Sequence, residues 1–137
     1  MLFYETKIVY QRQTGEATPN NVNETYLVEG LNLADVENRL LEELRPYMFG
    51  ETETPACKKA QYYDIIPSAE GEHWYKARVD MITIEDSGKE KRKRVSLLVE
   101  AGTLADAVST LTEKLNNVDC EIVSITRSPI LDVLRAV

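Results

Sequence analysis

Histidine and cysteine, the side chains that most often carry metals and nucleophilic chemistry, are scarce here: 137 residues include one histidine and two cysteines. One histidine excludes a two-histidine metal site within the chain. Cys57 and Cys120 stand far apart, without metal-ligand spacing, so no metal is expected and both read as small buried residues rather than a disulfide. Also missing are the Gly-x-Ser-x-Gly elbow, the Gly-x-x-x-x-Gly-Lys phosphate loop and the Gly-x-Gly-x-x-Gly dinucleotide turn. With none of these spacings, no catalytic residue and no cofactor is assigned, and a non-enzymatic protein is expected. His73 lies in a linker beside Trp74 and reads as a solvated residue. Glu42-Glu43 and Glu51/Glu53 sit on a helix flank and in an acidic loop, where carboxylates are ordinarily solvated charges.

Long apolar runs are missing as well. None approaches the roughly 20 residues that a helix needs to cross a bilayer, so no membrane partner is expected. Met1-Leu2-Phe3-Tyr4 leads straight into Glu5 and Lys7, without the ordered regions of a signal peptide, and a cytoplasmic location is the expectation. What is present is a 43% apolar composition, enough for a real core, and a net charge of −7. That charge is uneven: Lys89-Glu90-Lys91-Arg92-Lys93-Arg94 carries +4, which leaves −11 for the rest. An acidic body bearing one basic feature argues against a protein that coats nucleic acid with its whole surface.

The chain also contains itself twice, at a constant offset of 71 residues. Tyr26 to Asp35 lies over Leu97 to Asp106, and nine of the eighteen positions from 27 to 44 are identical to their counterparts. The same offset sets Phe3-Tyr4 over Trp74-Tyr75 and Ile8 over Val79. Tyr4, Thr6, Ile8 and Tyr10 share one strand face, as do Tyr75, Ala77, Val79 and Met81, the period-two pattern of half-buried strands. A long turn from Gln13 to Asn21 and a tight one at Asp86-Ser87-Gly88 lead into second strands at about 22–29 and 91–100.

A helix follows in each copy. Asn32 and Thr103 are N-cap residues, with Asp35 and Asp106 three positions on in a capping-box-like pattern. Leu33, Val36, Leu40 and Leu44 form one expected apolar stripe, and Leu104, Val108, Leu111, Leu115 and Val118 the other. Pro46 and Asn116-Asn117 are the expected stops. Third strands are expected near 58–66 and 121–126, with 49–56 an acidic loop particular to the first copy. The expectation is an α+β fold: a tandem duplication of a β-β-α-β unit, mainly antiparallel sheets with two packing helices, related by a pseudo-two-fold axis. It is read as one domain over 1–137, with repeat one at 1–66, a linker at 67–73, repeat two at 74–128 and an apolar tail at 129–137. That tail is expected to be a short docked helix or a subunit contact.

Tyr26-Leu27-Val28-Glu29 before a helix, Trp74-Tyr75-Lys76, the hairpin with Lys89-Glu90-Lys91, Leu98-Val99-Glu100-Ala101 and the closing Ser128-Pro129-Ile130-Leu131-Asp132-Val133 together resemble an uncharacterised domain-of-unknown-function family of Bacteroidetes and their bacteriophages. The resemblance spans nearly the whole chain. It implies a bacterial or phage setting inside the cell and transfers no activity.

Lys89, Lys91, Arg92, Lys93 and Arg94 are the candidate functional residues, since a basic strand neutralises phosphates. Lys76 and Arg78 on the neighbouring strand extend the patch, and Trp74, with Tyr62 and Tyr63 elsewhere, offers stacking surfaces of the kind that hold single-stranded nucleic acid. On a strand, Lys91 and Lys93 share one side and Arg92 and Arg94 the other. The plain alternative is an edge strand kept from aggregating by its lysines and arginines. Two partners therefore stand open: single-stranded nucleic acid at the hairpin, or a homo-oligomer or other protein held through sheet edges or the tail.

Overall fold

Local signals set both helices. In the computed structural model, which describes residues 2–12 and 20–135 apart from the side chains of 12, 20, 49–51, 53 and 55, α1 spans Leu33–Leu44 and α2 spans Leu104–Lys114. The Asn32 side chain accepts the Asp35 N–H at 2.9 Å, and the Thr103 hydroxyl accepts that of Asp106 at 3.1 Å. Each bond satisfies a backbone donor that the helix leaves open. The Asp35 carboxylate in turn accepts the Leu31 N–H at 2.9 Å. That bond, ahead of the nearby Arg39 guanidinium, holds the Asp35 pKa below its ordinary value. Pro46 falls in a 3-10 turn, Arg45–Tyr47, that follows α1 directly, and α2 unwinds at Leu115.

The strands are β1 Leu2–Arg12, β2 Asn20–Gly30, β3 Met48–Ala60, β4 Asp64–Ile66, β5 His73–Ile84, β6 Glu90–Ala101, β7 Cys120–Arg127 and β8 Ile130–Leu134. They form two mainly antiparallel four-stranded sheets, ordered β3-β1-β2-β8 and β4-β6-β5-β7. The protein is thus mixed α+β, with two α-helices among the described residues. The chain divides into two compact units, Met1–Gln61 with Pro129–Val137, and Tyr62–Ser128. Of the expected long turn from Gln13 to Asn21, residues 13–19 lie outside the described residues and residues 20 and 21 already belong to β2; the last two residues of the tail also lie outside the described residues.

Each unit packs its helix on one sheet face. Tyr4, Ile8, Tyr10, Tyr26 and Val28 meet Val36, Leu40 and Leu44 in the first unit. Tyr75, Ala77, Val79, Leu97, Val99 and Ala101 meet Ala107, Leu111 and Leu115 in the second. The helix stripes differ from expectation: Leu33, Leu104, Val108 and Val118 are exposed, and Ala107 is fully buried. Small residues let helix and strand end approach closely. A methyl group on Gly30 would meet Val36 Cγ2 at 2.7 Å, and 71 residues on the corresponding positions hold two alanines, Ala101 and Ala107. At the margin of the first core, the half-buried Glu24 accepts the hydroxyls of both Tyr10 and Tyr26.

Three expectations about strands are corrected. The strand expected at 58–66 stops at Ala60, and Asp64–Ile66 instead pairs in parallel with Leu97–Val99 of β6 in the second unit. The acidic segment 49–56 is no loop but part of β3, and two register shifts against β1 absorb its extra residues. The tail forms no helix: Ile130–Leu134 is β8, parallel to β2, with Ile130 buried. Ile130→Ala should therefore cost about 2–4 kcal/mol, the usual loss for truncating a buried isoleucine. Urea denaturation measures it, and a loss below about 0.5 kcal/mol would mean that β8 does not hold the sheet together.

Candidate nucleic-acid interface

The turn between β5 and β6 fixes the register of everything beyond it. Gly88 takes φ = 86°, its N–H bonds the Glu85 carbonyl at 2.8 Å, and the Glu85 N–H bonds the Lys89 carbonyl at 2.9 Å. A three-residue loop closed this way, with a glycine in the left-handed region at its end, is a standard antiparallel hairpin. The pairing runs from Ile84↔Glu90 through Ile82↔Arg92, Met81↔Lys93 and Asp80↔Arg94 to His73↔Ala101. Side chains directly across an antiparallel pair share a face.

Two faces result. One carries Val79 and Val95 over α2 and continues outward through Met81 with Lys93 and Thr83 with Lys91. The other carries Ile82 with Arg92, Asp80 with Arg94 and Glu121, Arg78 with Ser96 and Ser124, and Lys76 with Leu98 and Thr126. The basic run is thus split between faces: Lys91 and Lys93 extend the helix-covered side, while Arg92, Arg94, Arg78 and Lys76 lie opposite. β7 pairs with β5 only as far as Met81↔Cys120, and β4 covers only Leu97–Val99 of β6. From Glu90 to Val95 the outer edge of β6 therefore has no paired strand among the described residues, which is where lysines and arginines discourage unwanted pairing.

Charge on these residues is unevenly spent. Arg94 Nε donates to Asp80 Oδ1 at 2.9 Å and Nη2 to Oδ2 at 3.4 Å. Arg92 Nη1 donates to Glu121 at 2.6 Å and lies 3.7 Å from Asp80, while its Nε donates to Glu90 at 3.3 Å. Asp80 is buried, at 8% exposure, whereas the Arg92 and Arg94 side chains are 42% and 58% exposed. The Arg94 hydrogen bond, ahead of the charges of both guanidiniums, holds the Asp80 carboxyl below its ordinary pKa. By contrast, no carboxylate among the described residues pairs with Lys76, Arg78, Lys89, Lys91 or Lys93. Glu85, Asp86 and Glu90 also sit at the tip, so the hairpin end is mixed in sign.

Trp74 is corrected. It is only 3% exposed, and its buried indole N–H has no hydrogen-bond partner among the described residues, so its ring offers no stacking platform in this conformation. Tyr63, at 60% exposure, is open, and Tyr62 is half-buried. His73 begins β5 rather than lying in a linker, and its Nδ1 accepts from Arg127 Nη2 at 2.7 Å. Cys57 and Cys120 are free and half-buried, with the Cys57 sulfur 3.3 Å from the Thr6 hydroxyl. Glu42 and Glu43 are exposed on α1; the side chains of Glu51 and Glu53 lie outside the described residues. Among the described residues no three His, Cys, Asp or Glu side chains cluster as metal ligands, and no helix is long and apolar enough to cross a membrane.

Sequence reasoning missed Asp80 and Glu121, the carboxylates that engage the arginines. Asp80 was within reach, because counting back evenly from the Asp86-Ser87-Gly88 turn sets it across from Arg94. Glu121 was not, since it arrives on β7 from the far side of a helix. At the 71-residue offset the pair Asp80↔Arg94 corresponds to Val9↔Asn23, which is also a cross-strand pair, so the charged arrangement occurs in one unit only.

These features define a mixed α+β protein with a charged hairpin in its second unit. The chain belongs to a family of unknown function, Domain of unknown function (DUF4494), whose model matches residues 2–136. No curated protein matches it.

Asp80 supplies a pH test. A carboxyl whose folded pKa is depressed stabilises the fold above its unfolded value, near 3.8, and loses that contribution as pH falls through the folded pKa. Asp80→Asn should therefore lower stability at neutral pH, with the deficit shrinking below 3.8. Chemical denaturation of both proteins across the acid range checks this, and a deficit constant down to about pH 2 would contradict it.

Proposed function

We propose that the protein is a non-enzymatic accessory factor that binds single-stranded nucleic acid through the β5–β6 hairpin. One observation carries the reading: Lys76, Arg78, Lys89, Lys91 and Lys93 lack carboxylate partners among the described residues, in a chain whose net charge is −7. Cations kept free against such a background suit a phosphate backbone, which gains most where counter-ions are released. The projecting end of the hairpin, open on both faces, can follow a flexible strand. Tyr63 supplies an exposed ring for stacking, in place of the buried Trp74. A cytoplasmic setting, in a bacterium or a phage-infected cell, belongs to the same proposal.

The chain is read further as a tandem duplication. Support comes from the 71-residue offset, the paired caps Asn32 and Thr103, and the equal strand orders β3-β1-β2-β8 and β7-β5-β6-β4. Duplication frees one copy to diverge, and the Asp80–Arg94 pair against Val9–Asn23 is that divergence.

Assembly through sheet edges or the tail is the weaker reading. β4 and β8 are three and five residues long, and β3 and β7 carry register shifts, features that discourage strand addition. The tail is occupied in pairing with β2.

Fluorescence anisotropy with a labelled oligonucleotide tests the binding. Five phosphate contacts give a slope of log affinity against log salt of about −3.5, at roughly 0.7 per contact. Lys91→Ala with Lys93→Ala should reduce its magnitude by about 1.4. No binding at low salt, or a slope indifferent to these substitutions, would reject the proposal.

A further inference from the structure

Asp80 is an odd residue to find beneath a nucleic-acid-binding face, because a carboxylate there repels phosphate. Its geometry suggests why it is kept. Arg94 gives Asp80 the Nε and Nη2 edge of its guanidinium, two roughly parallel bonds at 2.9 and 3.4 Å. The guanidinium is planar and carries five N–H donors, so a side-on pair leaves both N–H groups of Nη1 and the second of Nη2 directed away from Asp80. No acceptor among the described residues takes them, and the Arg94 side chain is 58% exposed. Arg92 differs: Glu90 and Glu121 occupy its Nε and Nη1 on opposite sides. Its part is to crowd positive charge onto Asp80, from 3.7 Å, and so keep that carboxylate ionised.

We infer that Asp80 is a positioning residue that holds Arg94 as a pre-oriented fork for one phosphodiester group of a bound single strand. Next to the fork on the same sheet face is Arg78, flanked across the strands by Ser96 and Ser124. Guanidinium and hydroxyl groups together match the oxygens of a phosphate. A long flexible side chain loses rotamer freedom on binding; an arginine already fixed by a buried carboxylate has lost it on folding. The subsite rests on the proposed binding function and goes beyond it, because it assigns one phosphate contact to shape rather than to charge.

Charge and shape predict opposite signs. Asp80→Asn removes a negative charge from beneath the face, so charge alone predicts tighter binding to fluorescein-labelled oligothymidylate, whereas loss of the fork's support predicts binding weaker by roughly three- to tenfold. Arg94→Lys keeps the charge and the partner carboxylate but not the fork, and should weaken binding by a similar factor with the salt slope nearly unchanged. Thermal melts identify any variant that fails to fold; if Asp80→Asn does, Arg94→Lys decides alone. Oligothymidylate has no guanine, so the bidentate arginine contact to guanine O6 and N7 plays no part in the effect. Tighter or equal binding by Asp80→Asn, or affinity unaltered in Arg94→Lys, overturns the inference while leaving the binding function standing. Failure of the unaltered protein to bind at low salt removes both.

Discussion

The cross-strand register between β5 and β6 is the constraint on which the rest of the second unit depends. It follows from a three-residue loop whose last member, Gly88, adopts a backbone conformation that side chains rarely tolerate. Sliding β6 by one residue against β5 would turn Val95 away from α2 and set Arg94 or Ser96 beside Val79 on the helix side. The apolar requirement of the core therefore also fixes the charged face, and the two sides of the hairpin cannot be altered independently.

That coupling explains why a basic run of six residues does not act as one patch. Alternate residues go to opposite faces. Those opposite the helix meet carboxylates from two neighbouring strands, Asp80 on β5 and Glu121 on β7, while those on the helix side run out beyond its cover. The result is a neutralised arginine network beside free lysines. Counting charges along the sequence overstates the first and describes the second well.

Local signals were readable, and pairings distant in sequence were not. Asn32 and Thr103 with their aspartates gave the helix starts, because a cap is formed by residues three apart. The alternation of Tyr4, Thr6, Ile8 and Tyr10 gave a core face, because strand periodicity is written in consecutive residues. β4 and β8 left no such trace: three or five residues gain their strand character only from parallel partners more than thirty positions away, and the length alone carries no alternation to read. Exposure of Leu33 and Leu104 was equally hidden, since leucine at a helix's first turn fits either the stripe or its margin until the sheet beneath is known. Of the candidate site, strand and face were legible; burial of Trp74 and engagement of Arg92 and Arg94 required the neighbouring strands.

Two properties of the second unit meet in one claim: the register that builds the core also assembles the binding face. Backbone amide shifts followed by nuclear magnetic resonance, as an unlabelled oligonucleotide is added to isotopically labelled protein, address it directly. The account predicts perturbations concentrated on Lys76 to Asp80 and Lys89 to Ser96, along both strands of the hairpin. Perturbations confined to β1, β2 and β3, with the hairpin amides unmoved, would contradict it.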